Sequence, residues 1–406
     1  MIPRVRPSYS WADLLAALRA PRNSVEQFEN ALATRFGRRY AIAFPYGRSA
    51  IYACLRACRL VGSEVVQPAY NCVVVAHATV LAGYRPVFVD TQTADPNQDP
   101  EAMLERVGAR TAAVIPTSLF GMSFDAAALC RAIRRRNPQA LILLDCCQAF
   151  DAQWQGEPLL AQGDAALLAF GIGKPMTALY GGALLTDRDD IGCAVRHYRN
   201  TCFRQPTRWA VLQRWGYFLA SWLALSGPLV ALTDRLEHTA TPLRRYLLTL
   251  RAREAIRLPA DSEVQMTAVA AAIGLSQLPR SGYFTQRRQA LARIYSQALG
   301  DVPDLHVLPW TDGSSYAIYA IRLGKPDSRP KVLAALRRGG VQGDTVLNYV
   351  VPGLACYGAQ GYDNASFPHA LAWAESVLNL PNYPSLSDTQ ALQCAQLVRQ
   401  CLAHGV

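Results

Sequence analysis

Between residues 40 and 190 the sequence alternates short apolar runs with segments of helical length. The apolar runs predict buried strands at Tyr40–Phe44, Glu64–Gln67, Pro86–Val89, Ala112–Pro116, Ala140–Leu144, Ala165–Phe170 and Gly182–Thr186. The segments between them predict helices at Ser49–Leu60, Asn71–Ala82, Asp99–Val107 and Asp125–Arg136. This spacing is typical of a mostly parallel sheet that helices cover on both faces. The fold class predicted is therefore α/β.

The 406 residues are enough for two to three domains of roughly 150 residues each. We expect a large α/β domain at 1–187 and an arginine-rich helical insertion at 188–262. Residues 263–406 then supply the remaining large-domain helix and a smaller α+β domain. That last domain has a predicted strand at Ser315–Arg322 and helices near Pro330–Arg338 and Asp388–Leu402.

The composition excludes several classes of protein. Hydrophobic residues make up 51% of the chain and charged residues 17%, which excludes a disordered protein. The formal charge is +11, but no basic stripe alternates with aromatic residues, so we expect no nucleic-acid partner. Eleven cysteines form no C-x-x-C pair and six histidines lack metal-ligand spacing, so we expect no metal. The N-terminus carries no apolar signal segment, and a cytoplasmic location is expected.

Lysine is rare in this chain, which restricts any chemistry that needs an amine. Only Lys174, Lys325 and Lys331 occur, and the last two lie in the polar turn GKPDSRPK, which should be at the surface. Lys174 instead lies between two buried strands in LLAFGIGKPMTALYGGALLT, among several glycines. Pro175 follows it, which excludes a nucleotide-hydrolysis loop. A desolvated lysine forms Schiff bases with carbonyls, although a lysine that merely reaches solvent at a strand end is the alternative.

Two further segments carry polar groups at strand ends. In LILLDCCQAF, Asp145 ends an apolar strand, where open α/β sheets bind ligands, and Gln148 follows three residues later. In AFPYGRSAIYACL, the amides of Gly47, Arg48 and Ser49 begin a helix and can bind an anion. Each signal alone is common in α/β proteins. Together, a phosphate turn, a strand-end aspartate and a lysine follow the order seen in pyridoxal-phosphate enzymes of fold type I.

These segments resemble the DegT/StrS-type aminotransferase family over residues 24–190 and 263–402. The resemblance implies the fold-type-I architecture, with a mostly parallel seven-stranded sheet and a smaller C-terminal domain. It also implies pyridoxal 5'-phosphate as cofactor and a homodimer with shared sites. The implied reaction moves an amino group from an amino-acid donor, with glutamate expected, to a keto or aldehyde acceptor in a biosynthetic pathway. For the small-molecule acceptor, the resemblance leaves a sugar, a natural product or a lipid-like compound as expectations.

The same resemblance implies roles for individual residues. Lys174 is the Schiff-base lysine and proton shuttle, Asp145 is the partner of the pyridine nitrogen, and Gln148 lies beside the ring. Gly47, Arg48 and Ser49 hold the phosphate through their amides.

Several positions depart from the family pattern. Ala169 replaces a serine that binds the phosphate, and Cys72, two residues after Tyr70, replaces an aromatic residue that stacks on the ring. Glu263 and Gln265 stand where an asparagine and an arginine reach the neighbouring subunit. These departures leave two alternatives open: another pyridoxal-phosphate reaction, such as elimination, decarboxylation or carbon–carbon bond formation, and a non-catalytic cofactor-binding regulator.

The run from Trp215 to Thr233 carries no charge and is long enough to span a membrane. A span would separate Lys174 from the C-terminal domain, although the family builds its site from both. We expect instead a helical hairpin broken near Gly227-Pro228 and packed over the active-site mouth or the dimer interface. A membrane-surface or lipid contact through residues 211–236 is the other interpretation.

Overall fold

The computed structural model describes residues 1–225, 229–230 and 255–403. Its strands are β1 (Tyr40–Phe44), β2 (Glu64–Pro68), β3 (Arg85–Val89), β4 (Thr111–Val114), β5 (Leu141–Asp145), β6 (Gln153–Trp154), β7 (Glu157–Pro158), β8 (Ala165–Ala169), β9 (Gly182–Thr186), β10 (Leu305–Val307), β11 (Tyr319–Leu323) and β12 (Val377–Leu380). Seven of them form one sheet in the order β1-β9-β8-β5-β4-β2-β3. Only β9 runs antiparallel to its neighbours, so the predicted seven-stranded, mostly parallel sheet is confirmed.

The described helices begin before the sheet and continue to the C-terminal region. They are α1 (Trp11–Leu18), α2 (Ser24–Phe36), α3 (Gly47–Ala57), α4 (Val73–Leu81), α5 (Pro100–Arg106), α6 (Ala126–Arg136), α7 (Asp189–Cys202), α8 (Arg208–Ala224), α9 (Ala268–Gln277), α10 (Ser281–Leu299), α11 (Arg329–Arg338), α12 (Ala355–Gly358), α13 (Pro368–Ser376) and α14 (Asp388–Ala403). Helix α3 therefore begins two residues before the predicted start. Helix α1 was not among the predicted elements.

Alternation along each strand sends side chains to two separate cores, because successive strand residues point to opposite faces of a sheet. In β1, Ala41 and Ala43 pack with α2, α5, α6 and α9, whereas Ile42 and Phe44 pack with α3, α4 and α7. Both faces of the large sheet are thus covered. The four residues from Ala41 to Phe44 are each at most 2% exposed. A strand that is buried on both faces has apolar residues at successive positions, and this explains the continuous apolar run in the sequence.

A smaller antiparallel sheet, β10-β11-β12, forms the C-terminal α+β unit with α10, α11 and α14. Its core contains the fully buried Tyr295 and Tyr319, whose rings lie 4.9 Å apart. The domain boundaries after 187 and after 262 stay a prediction. Helix α7, which follows the first boundary, packs on strand β1 of the large sheet and on helix α3.

The first half of the uncharged run forms the end of α8. Phe218 of this helix is fully buried, and it packs with Leu179 and with Val269 and Ile273 of α9. Among the described residues, no helix is both long and apolar enough to cross a membrane. The predicted break at Gly227-Pro228 lies outside the described residues, as does most of the run beyond it.

Gly182 offers a test of how α3 meets the sheet. A Cβ at Gly182 would lie 2.4 Å from the Gly47 nitrogen and 2.6 Å from the Tyr46 carbonyl carbon, and backbone atoms there cannot move aside cheaply. We expect Gly182→Ala to lower the free energy of unfolding by about 1–3 kcal/mol. Gly282→Ala is the matched control, since a Cβ there meets nothing within 4 Å and alanine favours the helix. Urea unfolding of both variants measures the effect; equal stability of Gly182→Ala and the wild type would contradict it.

Candidate active site

A cavity of about 720 Å³ opens beside the carboxyl ends of the parallel strands. Residues that follow β1, β2 and β4 line it, together with the ends of β5 and β8. Ligands of open α/β sheets bind at this edge, because the loops there leave a crevice between neighbouring strands. Of the eight predicted site residues, seven line the cavity: Gly47, Arg48, Cys72, Asp145, Gln148, Ala169 and Lys174.

Lys174 is half-buried in the loop that joins β8 to β9. The loop is closed by hydrogen bonds from the Phe170 amide to the Gly181 carbonyl and from the Ala178 amide to the Phe170 carbonyl, both 2.9 Å. The Lys174 amide donates to the Gly171 carbonyl at 3.0 Å, which fixes the turn that carries the side chain. Lys325 and Lys331 are both exposed. Lys174 is therefore the lysine that the fold brings to the cavity.

Asp145 is 5% exposed at the end of β5. Its amide donates to the Pro116 carbonyl at 2.8 Å, and its Oδ1 accepts a hydrogen bond from the Cys147 amide at 3.0 Å. Burial raises the pKa of the Cys147 thiol well above its usual value, the charge of Asp145 raises this pKa further, and the charge of Lys174 lowers it. Both charges therefore act on one thiol, and Asp145, Cys147 and Lys174 all line the same cavity.

The turn before α3 supplies the predicted anion site. Gly47 and Arg48 line the cavity, and the first amides of a helix have no carbonyl partner within the helix. A Cβ at Gly47 would lie only 3.2 Å from the Ala169 Cβ and from the Cys147 Sγ, so glycine allows the helix to begin directly against the sheet.

Ser49 differs from the prediction, since it is fully buried behind the cavity wall. Its amide donates to the Tyr46 carbonyl at 3.1 Å and its hydroxyl donates to the Ser262 carbonyl at 2.7 Å. The first turn of α3 therefore already uses this amide, and the hydroxyl fastens the segment near 262 to the helix.

Cys72 and Gln148 also line the cavity, and each takes part in a hydrogen bond between a backbone amide and a side-chain oxygen. The Cys72 amide donates to Asn71 Oδ1 at 2.6 Å, and Gln148 Oε1 accepts from the Phe120 amide at 2.6 Å. Asn71 also lines the cavity and donates from Nδ2 to Thr117 Oγ1 at 2.9 Å. Sequence reasoning missed Asn71, whose position after β2 was the available signal. Tyr70 does not serve the cavity, because it is fully buried in the core of the smaller sheet.

An aromatic cluster at the cavity mouth was also missed. The hydroxyl of Tyr46 donates to Asp261, with distances of 2.9 and 2.8 Å to the two carboxylate oxygens, and Arg214 forms an ion pair with the same carboxylate. The Arg214 guanidinium lies 4.0 Å above the Tyr180 ring, whose centroid is 4.8 Å from that of Tyr217. Burial raises the pKa of Tyr46 to about 12, so this phenol is neutral at physiological pH. Helix α8 thus reaches the cavity through Tyr217, which lines it, while Arg214 packs against Tyr180.

The residues at the cavity fit the cofactor that the resemblance implies. Pyridoxal phosphate needs an amine, a carboxylate for its ring nitrogen and an anion site for its phosphate. Lys174, Asp145 and the α3 turn at Gly47 are the corresponding groups on the cavity wall. No group of three His, Cys, Asp or Glu side chains suited to a metal ion occurs in the part of the chain that the structure describes.

Comparison with known proteins gives a consistent result. The model of the DegT/DnrJ/EryC1/StrS aminotransferase family matches residues 17–220 and 226–399. The chain is 28% identical to UDP-2-acetamido-2-deoxy-3-oxo-D-glucuronate aminotransferase of Pseudomonas aeruginosa, over 92% of this chain and 89% of that protein. It is 24% identical to GDP-perosamine synthase of Caulobacter vibrioides, over 90% of this chain and 86% of that protein. Its fold is similar to that of Helicobacter pylori PseC, an aminotransferase of pseudoaminic acid biosynthesis, with a TM-score of 0.78, 18% identity and 99% coverage of both chains.

The chain therefore belongs to the DegT/DnrJ/EryC1/StrS aminotransferase family. It is a pyridoxal-phosphate-dependent aminotransferase of fold type I, as the motifs predicted. The family match extends through most of 188–262, leaving out only residues 221–225 of that segment.

Proposed function

We propose that this member of the DegT/DnrJ/EryC1/StrS family transfers an amino group from an amino-acid donor, with glutamate expected, to the keto group of a sugar. The observation that carries the proposal is that Lys174, Asp145 and Gly47 line one cavity. The relative from P. aeruginosa is named for a nucleotide-linked keto sugar. A nucleotide-linked keto sugar is therefore the acceptor class to test first.

Each residue at the cavity then has a definite task. Bound pyridoxal phosphate supplies an electron sink for the substrate carbon that carries the amino group. The Nζ of Lys174 moves the proton to and from that carbon as a general acid and base. The Asp145 carboxylate keeps a proton on the pyridine nitrogen, and the amides of Gly47 and Arg48 bind the phosphate. Gln148 and Cys72 also line the cavity and bound the space for the ring.

The mouth of the cavity suits an anionic acceptor. Arg48 and Arg257 line the cavity as cations, and Tyr46, Tyr180 and Tyr217 offer ring faces and edges. A nucleotide-linked sugar carries phosphates and a base, which arginine and aromatic side chains bind well. We infer that the sugar end lies toward Lys174 and the phosphates lie toward the mouth.

Assembly and location remain part of the proposal. We infer a homodimer in the cytoplasm; Gln265, at one of the positions where the family reaches the neighbouring subunit, here donates to the Phe203 carbonyl of its own chain at 3.2 Å. A membrane-surface contact through 211–236 has one supporting observation, the exposure of Leu212, Leu219 and Leu223 on α8.

The proposed function is tested by assaying the purified enzyme with nucleotide-linked keto sugars and amino-acid donors. We expect amino-sugar product to form only when a keto sugar and a donor are both present, because the cofactor must be recharged by the donor in each cycle. Product and donor-derived keto acid should appear in equal amounts by mass spectrometry. Consumption of an amino acid alone, without amination, would instead support the elimination or decarboxylation alternative. Cofactor binding with no turnover of any pair would support a regulator.

Substitution of Lys174 tests the assignment of the proton shuttle. We expect Lys174→Ala to lower kcat by about 10²–10⁴-fold, because the variant has no amine to move the proton. The matched control is Lys325→Ala, which removes an exposed lysine that is 3.7 Å from Asp304. The control should keep wild-type kcat and KM. Transamination by Lys174→Ala at the wild-type rate would disprove the lysine assignment.

Ala169 permits a gain-of-function test of the phosphate turn. Because Ala169 Cβ lies beside the start of α3, Ala169→Ser should add a hydroxyl donor to the anion site. A hydrogen bond worth about 0.5–1.5 kcal/mol should tighten cofactor binding roughly 2–10-fold. Ala169→Cys has a similar size but a weaker donor and should bind the cofactor as the wild type does. Equilibrium dialysis measures the dissociation constants; unchanged or weaker binding by Ala169→Ser would place the phosphate elsewhere.

A further inference from the structure

A second cavity of about 140 Å³ adjoins the first on the other side of the lysine loop. Ile172 and Lys174 line both cavities, so the small one borders the lysine of the proposed enzyme. Its wall contains four cationic side chains and one carboxylate: Arg4, Arg6, Lys174, Arg288 and Asp344. The carboxylate is already engaged, since Asp344 lies 3.7 Å from the Nε of Arg4. The excess of positive charge favours an anionic ligand.

Arg288 on α10 is the unusual member of this wall. It is 6% exposed, and no carboxylate among the described residues forms an ion pair with its guanidinium. Its Nη1 donates to the Phe284 carbonyl of the same helix at 3.2 Å, and its Nε has no partner. Burial lowers the pKa of Arg288 to about 10, but the side chain still carries its charge at neutral pH. An unpaired buried cation is strongly destabilising, so a chain retains one where an anion compensates it in the working state.

A neighbouring amide adds a second unused donor to the wall. Asn379 is 3% exposed, and its Oδ1 accepts from the Val346 amide at 2.6 Å while its Nδ2 has no partner. Guanidinium and amide N–H groups are the donors that bind a carboxylate, and arginine does so with its planar fork. The small volume suits a carboxylate-bearing side chain and excludes a nucleotide-linked sugar, for which only the larger cavity has room.

We propose that this cavity binds a carboxylate of the amino donor, with Arg288 as its ion-pair partner. The inference rests on the proposed function, because only an aminotransferase has an amino-acid donor to place there. Lys174 borders both cavities, so a donor held at Arg288 lies next to the amine that moves its proton. Arg288 acts here as a specificity residue for the donor and has no role in binding the sugar.

The proposal is tested with Arg288→Met, which keeps an unbranched apolar stem and removes the guanidinium with its charge. We expect the KM for the amino donor to rise about tenfold or more, the loss expected for a charge-assisted hydrogen bond. The KM of the acceptor should be unchanged. Arg293→Met is the matched control, since it removes an exposed arginine from the same helix and should alter neither KM. An unchanged donor KM, or a raised acceptor KM, would overturn the proposal.

A binding measurement separates this inference from turnover. Glutarate carries two carboxylates and no amino group, so it can occupy the cavity without reacting. It should raise the melting temperature of the wild-type holoenzyme and of Arg293→Met, but not that of Arg288→Met. If the wild type transaminates no donor and glutarate still protects through Arg288, the cavity assignment stands and the proposed function fails.

Stability distinguishes a ligand-binding arginine from a structural one. Without glutarate, Arg288→Met should melt at or above the wild-type temperature, because removal of an unpaired buried charge relieves a desolvation cost. A clear fall in melting temperature would show that Arg288 serves the fold, and it would overturn the proposal.

Discussion

The close contact between Gly47 and Gly182 is the constraint on which the rest of the site depends. A side chain at Gly182 would place its Cβ 2.4 Å from the Gly47 nitrogen, so α3 can begin against β9 only because position 182 is glycine. This approach brings the first amides of α3 to the wall that Ala169 and Cys147 also form. The anion site is therefore a consequence of backbone packing between a helix and a strand.

The charged groups Asp145 and Lys174 line the same cavity as Ala169 and Cys147. Asp145 is fixed by backbone hydrogen bonds at the end of β5, and Lys174 is fixed by the closed loop between β8 and β9. The two residues line one cavity together with Cys147, whose thiol pKa the charge of Asp145 raises and the charge of Lys174 lowers. A site of this kind is preorganised, because each charged group is held by secondary structure rather than by a flexible chain. The unpaired Arg288 adds a further positive charge in the wall of the small cavity, which Lys174 also lines.

The strands of the large sheet were predictable because they are buried on both faces and read as apolar runs. Strands β1 and β9 have the bounds that the sequence predicted, and the other predicted strands of the sheet differ by one or two residues at one or both ends. Helix α1 and the mouth cluster were not predictable in the same way. Tyr46, Tyr180 and Tyr217 come from three distant segments, and no local pattern shows that Arg214 lies between them. Ser49 illustrates a subtler limit, since a residue at a helix start can be fully buried with its amide already bonded within the first turn.

By itself, the sequence determined the sheet, the family and the chemical groups of the cofactor site, because these follow from local periodicity and from motifs in a fixed order. Because only three lysines occur in 406 residues, the sequence alone favoured Lys174 as the Schiff-base lysine. Only the tertiary structure decided that Ser49 lies behind the cavity, that α8 reaches its mouth, and that Arg288 is buried without a partner. The physical reason is that burial and pairing depend on which distant segments meet, and residues 4–6, 174 and 288 meet only after the chain has folded.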